Sequence, residues 1–107
     1  NVGDLEFNLF EVLALEKALA GGDFGDLDPQ SARDMLVQAA ELAEGPVAEA
    51  FAETDRTPPS FDPATHVVTI PAAFKKSFRA WYDGDWFRVG MAEAIGGVPA
   101  PSMLEWA

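Results

Sequence analysis

The feature that most constrains this sequence is a long run of apolar residues at helical spacing, which begins directly after a strong helix start signal. Asp28 can accept hydrogen bonds from the free N–H groups of a first helical turn, and Pro29 suits the first helical position, where no N–H is needed. One apolar face then continues to about Asp55. Its members are Ala32, Met35, Leu36, Ala39, Leu42, Ala43, Val47, Ala50 and Phe51.

A proline lies inside this predicted helix. Pro46 lacks the N–H that would bond to the carbonyl of Leu42, a loss that costs about 3 kcal/mol in a helix interior. The apolar phase nevertheless continues unchanged across Gly45-Pro46. We therefore predict a bend at this point, with two nearly collinear helices as the alternative.

Three other segments have helical character. They are Asp4–Ala20, the segment from Pro71 to about Asp83, and a last stretch from Pro101. The first should end at Gly21-Gly22, since glycine accepts the left-handed geometry of a helix C-terminus. The β-rich run His66–Ile70 is either a small hairpin or extended chain. The predicted fold is all-α, a small bundle of about four helices with one short extended insert, in a single domain over residues 1–107.

The charge is strongly negative and unevenly distributed. The chain has eighteen acidic and seven basic residues, a net charge of −11. Residues 1–55 carry thirteen acids and two bases, whereas residues 56–107 carry five of each. This balance argues against a nucleic-acid partner, because such proteins concentrate Lys and Arg on one face. The first half has either a solvated acidic face or a docking face for a basic partner.

Other sequence features bear on the cellular compartment. The chain has no cysteine, which excludes disulfides, thiolate metal sites and a cysteine nucleophile and fits a cytoplasmic location. Its first ten residues lack the basic and apolar regions of a secretory signal. No apolar run approaches the roughly 18 residues that a membrane span needs.

No group of residues in the sequence forms a self-sufficient active site. His66 is the one histidine and has no second His or Cys to share a zinc ion. Three carboxylate pairs could resemble a glycosidase dyad, but the helical pairs should face solvent. These pairs are Glu41 with Glu44, Glu49 with Glu53, and Asp83 with Asp85. The serines lack a nucleophile elbow, and Gly96-Gly97 lacks the phosphate-binding glycine pattern.

Large aromatic side chains are concentrated in the last third of the chain. They are Phe74, Phe78, Trp81, Tyr82, Trp86, Phe87 and Trp106. We expect most of them to form core, the usual place of such side chains. The alternative is that they are buried against another domain, because a domain this small hides only about 60–65% of its surface.

The two ends of the sequence suggest a segment of a longer chain. It begins at Asn1 rather than Met, and it stops at Trp106-Ala107 without a helix-ending signal after Pro101.

Short motifs follow one another in a characteristic order along nearly the whole chain. They are Glu6–Val12, Leu42–Pro46, Asp55–Pro59, the Phe61–Pro63 turn, Pro71–Ser77, Trp86 and the Gly96–Pro99 loop. In this order they resemble the N-terminal segment of bacterial acyl-CoA dehydrogenases, specifically the larger fatty-acid-oxidising flavoenzymes of actinobacteria. The sequence departs from that family at Ile95, where the family has the tyrosine of a Tyr-Gly-Gly loop.

The resemblance implies an enzyme of three domains, with an N-terminal helical domain, a middle β-barrel and a C-terminal four-helix bundle. Such enzymes bind FAD and remove hydrogens from the α and β carbons of an acyl-CoA thioester. A glutamate abstracts the α proton, flavin N5 accepts a hydride, and the electrons pass to electron-transferring flavoprotein. By this resemblance we expect the full-length protein to be a homo-oligomer.

The family's catalytic glutamate and FAD contacts lie mostly downstream of this segment. We therefore expect no catalytic, cofactor-binding or metal-ligating residue in 1–107, and neither cofactor nor activity in this segment alone. Phe87–Trp106 is expected to border the substrate cavity, without any single substrate-binding side chain being identified. Two other hypotheses remain open: a free-standing acidic helical protein-interaction module, and a structural helical domain attached to an unrelated enzyme.

Overall fold

A computed structural model describes all of residues 1–107 and shows a mostly helical chain with one two-stranded sheet. The predicted all-α class is confirmed. Contacts divide the chain into two compact units. The terminal unit contains Asn1–Ala40 and Asp85–Ala107, and the central unit contains Glu41–Gly84. The single domain expected from the sequence stays a prediction. None of the helices is long and apolar enough to cross a membrane.

The terminal unit consists of short helical segments around the first part of a long helix. Its elements are α1 (Val2–Glu6), a π-helix (Phe7–Val12), α2 (Leu15–Leu19), the start of α3 (Pro29–Leu42), two 3-10 turns (Trp86–Arg88 and Glu93–Ile95) and α6 (Ser102–Glu105). Gly22, with φ of 79°, follows the end of α2 as predicted. Pro29 opens α3 as predicted.

The prediction of one uninterrupted helix over Asp4–Ala20 is wrong. The helix widens into the π segment and breaks at Ala14, whose φ of 52° is left-handed. Packing gives a physical reason. Leu9 and Leu15 are both buried, yet six residues of a regular helix would leave their side chains about 120° apart. The break turns Leu15 onto the face that Leu9 occupies.

The hydrophobic core lies in the terminal unit. Its buried members are Leu9, Leu15, Leu19, Ala32, Leu36 and Leu104. Leu104 lies on α6, so the last residues of the chain pack onto the same core as the first. Burial of each of the leucines among them stabilises the fold by roughly 1.5–3 kcal/mol.

The long helix continues through its proline. After α3 the backbone forms a π segment, Ala43–Val47, and then α4 (Ala48–Arg56). The Ala48 N–H donates to the Ala43 carbonyl five residues back, and this wider turn accommodates Pro46. The path stays helical across Gly45-Pro46, and the bend expected there stays a prediction. The helix ends at Arg56, within one residue of the expected Asp55.

The central unit places a small hairpin between α4 and α5 (Ala72–Asp83). Strand β1 (Ser60–Asp62) pairs antiparallel with β2 (Val67–Thr69), so the hairpin alternative for this insert is confirmed. Both strands are exposed. Within this unit α4 packs on α5, with a 3.0 Å ion pair between Glu49 and Lys76.

The prediction that the aromatic side chains form core is wrong. None of the seven is buried, and Trp106 is 84% exposed. The same correction applies to the apolar face of the long helix, where Ala32, Leu36 and Ala50 are buried but Phe51 is 75% exposed. The periodicity identified the apolar faces correctly, but in these places no further layer of this chain covers them.

Candidate functional site

A cleft in the terminal unit has a volume of about 580 Å³. One wall is the turn at Phe24–Leu27, a second is α3 through Ser31 and Met35, and the third is the loop at Glu93 and Gly97–Pro99. We call it the glycine-loop cleft. It includes part of Phe87–Trp106, the segment that the sequence placed at the border of a substrate cavity.

Backbone hydrogen bonds fix the loop that forms the third wall. The Gly90 N–H donates to the Val98 carbonyl at 3.0 Å, and the Val98 N–H donates to the Arg88 carbonyl at 2.9 Å. Gly97 lies so close to the backbone of Met91 that any Cβ at this position would overlap it. Glycine is therefore required at position 97 for the loop to close.

The start of α3 holds the second wall. The Ser31 N–H donates to Asp28 Oδ1 at 2.7 Å, which makes Asp28 the N-cap that the sequence predicted. The hydrogen bonds from the Ser31 backbone and side chain lower the pKa of Asp28. The partial positive charge of the helix start is thus already matched by a carboxylate of the same chain.

The electrostatics of the glycine-loop cleft disfavour an anion. Its charged lining residues are Asp26 and Glu93, and no basic side chain lines it. FAD carries a pyrophosphate, which needs N–H donors or positive charge around it. The residues of this cleft therefore do not fit the phosphates of FAD, and its walls suit neutral or apolar groups.

The structure does not assemble the candidate catalytic residues into a site. His66 is exposed in the hairpin turn with φ of 57°, and its ring lies 6.5 Å from that of Phe61. The six carboxylates of the three pairs are all exposed, which confirms the solvent exposure predicted for the two helical pairs. No group of three or more His, Cys, Asp or Glu side chains could hold a metal ion. The expectation that this segment carries no catalytic or cofactor-binding residue stays a prediction.

An apolar groove in the central unit was not foreseen. It has a volume of about 310 Å³ and is lined by Val47, Ala50, Phe51, Thr54, Asp55, Phe74 and Ser77. Thr54 Oγ1 is buried there without a hydrogen-bond partner, whereas Ser77 Oγ donates to the Phe74 carbonyl at 3.0 Å. The sequence showed both apolar helix faces, but it carried no signal that the space between them stays open.

Comparison with known proteins gives a relative that matches the whole chain. No protein-family model matches the chain. The chain is 55% identical over 107 residues to the broad-specificity linear acyl-CoA dehydrogenase FadE5 of Mycobacterium tuberculosis. The match covers 100% of this chain and 18% of the relative, at its N-terminal part. The chain thus spans less than a fifth of the length of the enzyme it matches.

This match agrees with the resemblance found from the ordered motifs, and the matched region includes all residues of both units. The α3 start, the continuous helix through Pro46, the hairpin and the glycine loop all fall within the matched residues. The chain is therefore a homologue of the N-terminal part of a bacterial acyl-CoA dehydrogenase.

Proposed function

We propose that this chain is the N-terminal helical domain of an FAD-dependent acyl-CoA dehydrogenase, which introduces an α,β double bond into acyl-CoA thioesters during fatty-acid β-oxidation. The observation that carries the proposal is the 55% identity over all 107 residues. In this role the chain contributes structure and part of the wall of the substrate cavity, and it is inactive alone.

The lining of the glycine-loop cleft supports the proposal that this chain forms part of the wall of the substrate cavity. This lining is without cations, which suits the neutral acyl part of a substrate better than the phosphates of CoA. Gly97, Val98 and Pro99 belong to Phe87–Trp106, the segment expected to border the cavity. We propose that the catalytic glutamate and the FAD contacts come from parts of the protein beyond residues 1–107.

The uncovered apolar faces support the role of one domain among several. Phe51, Phe61 and Trp106 are each more than half exposed, and large apolar side chains left uncovered by one domain are available for burial against another. We propose that other parts of the full-length protein cover these faces. The homo-oligomer, the cytoplasmic location and electron-transferring flavoprotein as acceptor remain part of the same proposal.

The test is to express the complete gene that encodes this chain and to measure the flavin content of the purified protein. We expect a yellow protein whose flavin absorbance bleaches when a linear acyl-CoA is added without an electron acceptor. Free CoA serves as the control and should cause no bleaching. A colourless protein that leaves acyl-CoA unchanged would overturn the proposal and favour the acidic interaction module.

A further inference from the structure

We propose that one face of α5 binds a nucleoside monophosphate. An open cleft of about 340 Å³ lies along this helix and is lined by Ile70, Lys75, Phe78, Arg79 and Tyr82. Its volume is near the lower end of the roughly 300–1,000 Å³ typical of small-molecule sites, and it suits a ligand of nucleotide size.

The helical spacing brings two kinds of side chain together on this face. Lys75 and Arg79 are four residues apart, and so are Phe78 and Tyr82, so each pair lies on neighbouring turns of α5. The rings of Phe78 and Tyr82 are nearly parallel, with centroids 6.4 Å apart and planes inclined by 25°. The cleft therefore has two aromatic rings beside two cations.

The charge of the two cations is uncompensated by the chain itself. Neither Lys75 nor Arg79 forms an ion pair, although the chain has eighteen acidic residues. Lys76, between them in sequence, pairs instead with Glu49 at 3.0 Å. An arginine with free N–H groups can bind a phosphate through two parallel hydrogen bonds, and a nearby lysine adds a point charge.

The two aromatic rings favour an anionic ligand that also carries a planar ring system. A nucleobase stacks on rings such as Phe78 and Tyr82, and stacking of this kind stabilises binding whatever the base. Inorganic phosphate could contact the two cations but has no planar group to stack on the rings of Phe78 and Tyr82. A nucleoside monophosphate can place its phosphate on Lys75 and Arg79 while its base stacks on Phe78 and Tyr82.

This inference does not depend on the proposed function. Adenosine phosphate exists as a free nucleotide and as the nucleotide end of a CoA thioester, and both have the chemistry that this cleft recognises. The assignment of the CoA end to α5 would rest on the proposed function, and the experiment separates the two sources.

The experiment is a calorimetric titration of AMP into the full-length protein. The test variant is Lys75→Gln/Arg79→Gln, and the matched control is Lys76→Gln, which removes a cation of the same helix that is already paired. We expect AMP affinity to fall by at least about tenfold in the double variant and to stay unchanged in the control. Inorganic phosphate, titrated alone, should bind more weakly than AMP.

A second titration, with CoA in place of AMP, shows whether the cleft binds a free nucleotide or the nucleotide end of CoA. Equal losses of AMP and CoA affinity in the double variant assign the cleft to the nucleotide end of CoA, whereas loss of AMP affinity alone assigns it to a free nucleotide. If circular dichroism shows that the double variant does not fold, Arg79→Gln alone replaces it. Absence of AMP binding, unchanged AMP affinity in the double variant, or an equal loss in Lys76→Gln would overturn the inference. Flavin content and dehydrogenation, which test the proposed function, are read separately.

Discussion

The terminal and central units bury very different side chains. The terminal unit buries four leucines on its N-terminal helices and α3, together with Leu104 on α6. The central unit buries only Ala50 and Ser77 and leaves Phe51, Phe61 and Phe78 more than half exposed. Since burial of apolar area supplies most folding free energy, the terminal unit is the part of this chain able to hold its own fold.

The central unit depends on local interactions instead. Its hairpin turn is closed by Asp62, which accepts hydrogen bonds from the Ala64 N–H at 2.9 Å and the Thr65 hydroxyl at 2.8 Å. Its one ion pair between helices joins Glu49 and Lys76, both exposed, and exposed pairs contribute only about 0–1 kcal/mol. A unit built in this way gains most from a covering surface.

Removing the centre of the leucine core should have the largest effect. Leu15 is fully buried, with 0% exposure, so Leu15→Ala should lower the free energy of unfolding by about 2–5 kcal/mol through lost burial and a residual cavity. Urea unfolding of the 107-residue chain measures this. Leu13→Ala is the matched control, because Leu13 is 51% exposed two residues away. Equal losses in the two variants would contradict the assignment of the core to the terminal unit.

The second prediction compares one glycine from each unit. Gly97→Ala places a Cβ against the Met91 backbone and should destabilise the chain by about 1–3 kcal/mol, because backbone atoms have to shift. Gly45→Ala, in the helical region of the central unit, meets no atom within 4 Å and should be neutral or stabilising by up to about 1 kcal/mol. Thermal unfolding of both variants checks the difference. A harmless alanine at position 97 would mean that the loop is not closed as described.

Features that depend on local interactions could be predicted from the sequence, whereas features that depend on packing between distant segments could not. Asp28-Pro29 predicted the start of α3 because capping is a local interaction. Pro71 and Gly84 likewise bounded α5 correctly. The break at Ala14 was missed, since it depends on how Leu15 packs and not on a glycine or proline. The groove beside Thr54 was missed, and the aromatics were expected mainly in the core with burial against another domain as the alternative, because periodicity identifies an apolar face without showing whether anything covers it.

The third prediction measures how far the central unit depends on a covering surface. In the 107-residue chain, Phe51→Ala should change the free energy of unfolding by no more than about 0.5 kcal/mol, because this side chain is 75% exposed. In the full-length protein the same substitution should lower the melting temperature, since Phe51 would there be buried. Glu53→Ala, at an exposed position on the same helix, is the control for both proteins. An unchanged melting temperature would mean that this face stays open to solvent.

The smallest effect concerns pH and again separates the two units. Hydrogen bonds from Ser31 lower the pKa of Asp28, and those from Thr65 and Ala64 lower the pKa of Asp62, both below the ordinary value of 3.8. A lowered pKa means that each carboxylate stabilises the folded chain at pH values above 3.8, and that this stabilisation is lost as the pH falls through the folded-state pKa.

We expect Asp28→Asn to flatten the fall in the urea midpoint between pH 5 and pH 3, because asparagine keeps the cap without titrating. Asp62→Asn should flatten it less. Asp28 caps the helix that carries Ala32 and Leu36 into the core, whereas Asp62 closes a hairpin that buries nothing. If Asp62→Asn flattened the profile more than Asp28→Asn, the hairpin would contribute to the cooperative unit, and the stability of this chain would no longer be concentrated in the terminal unit.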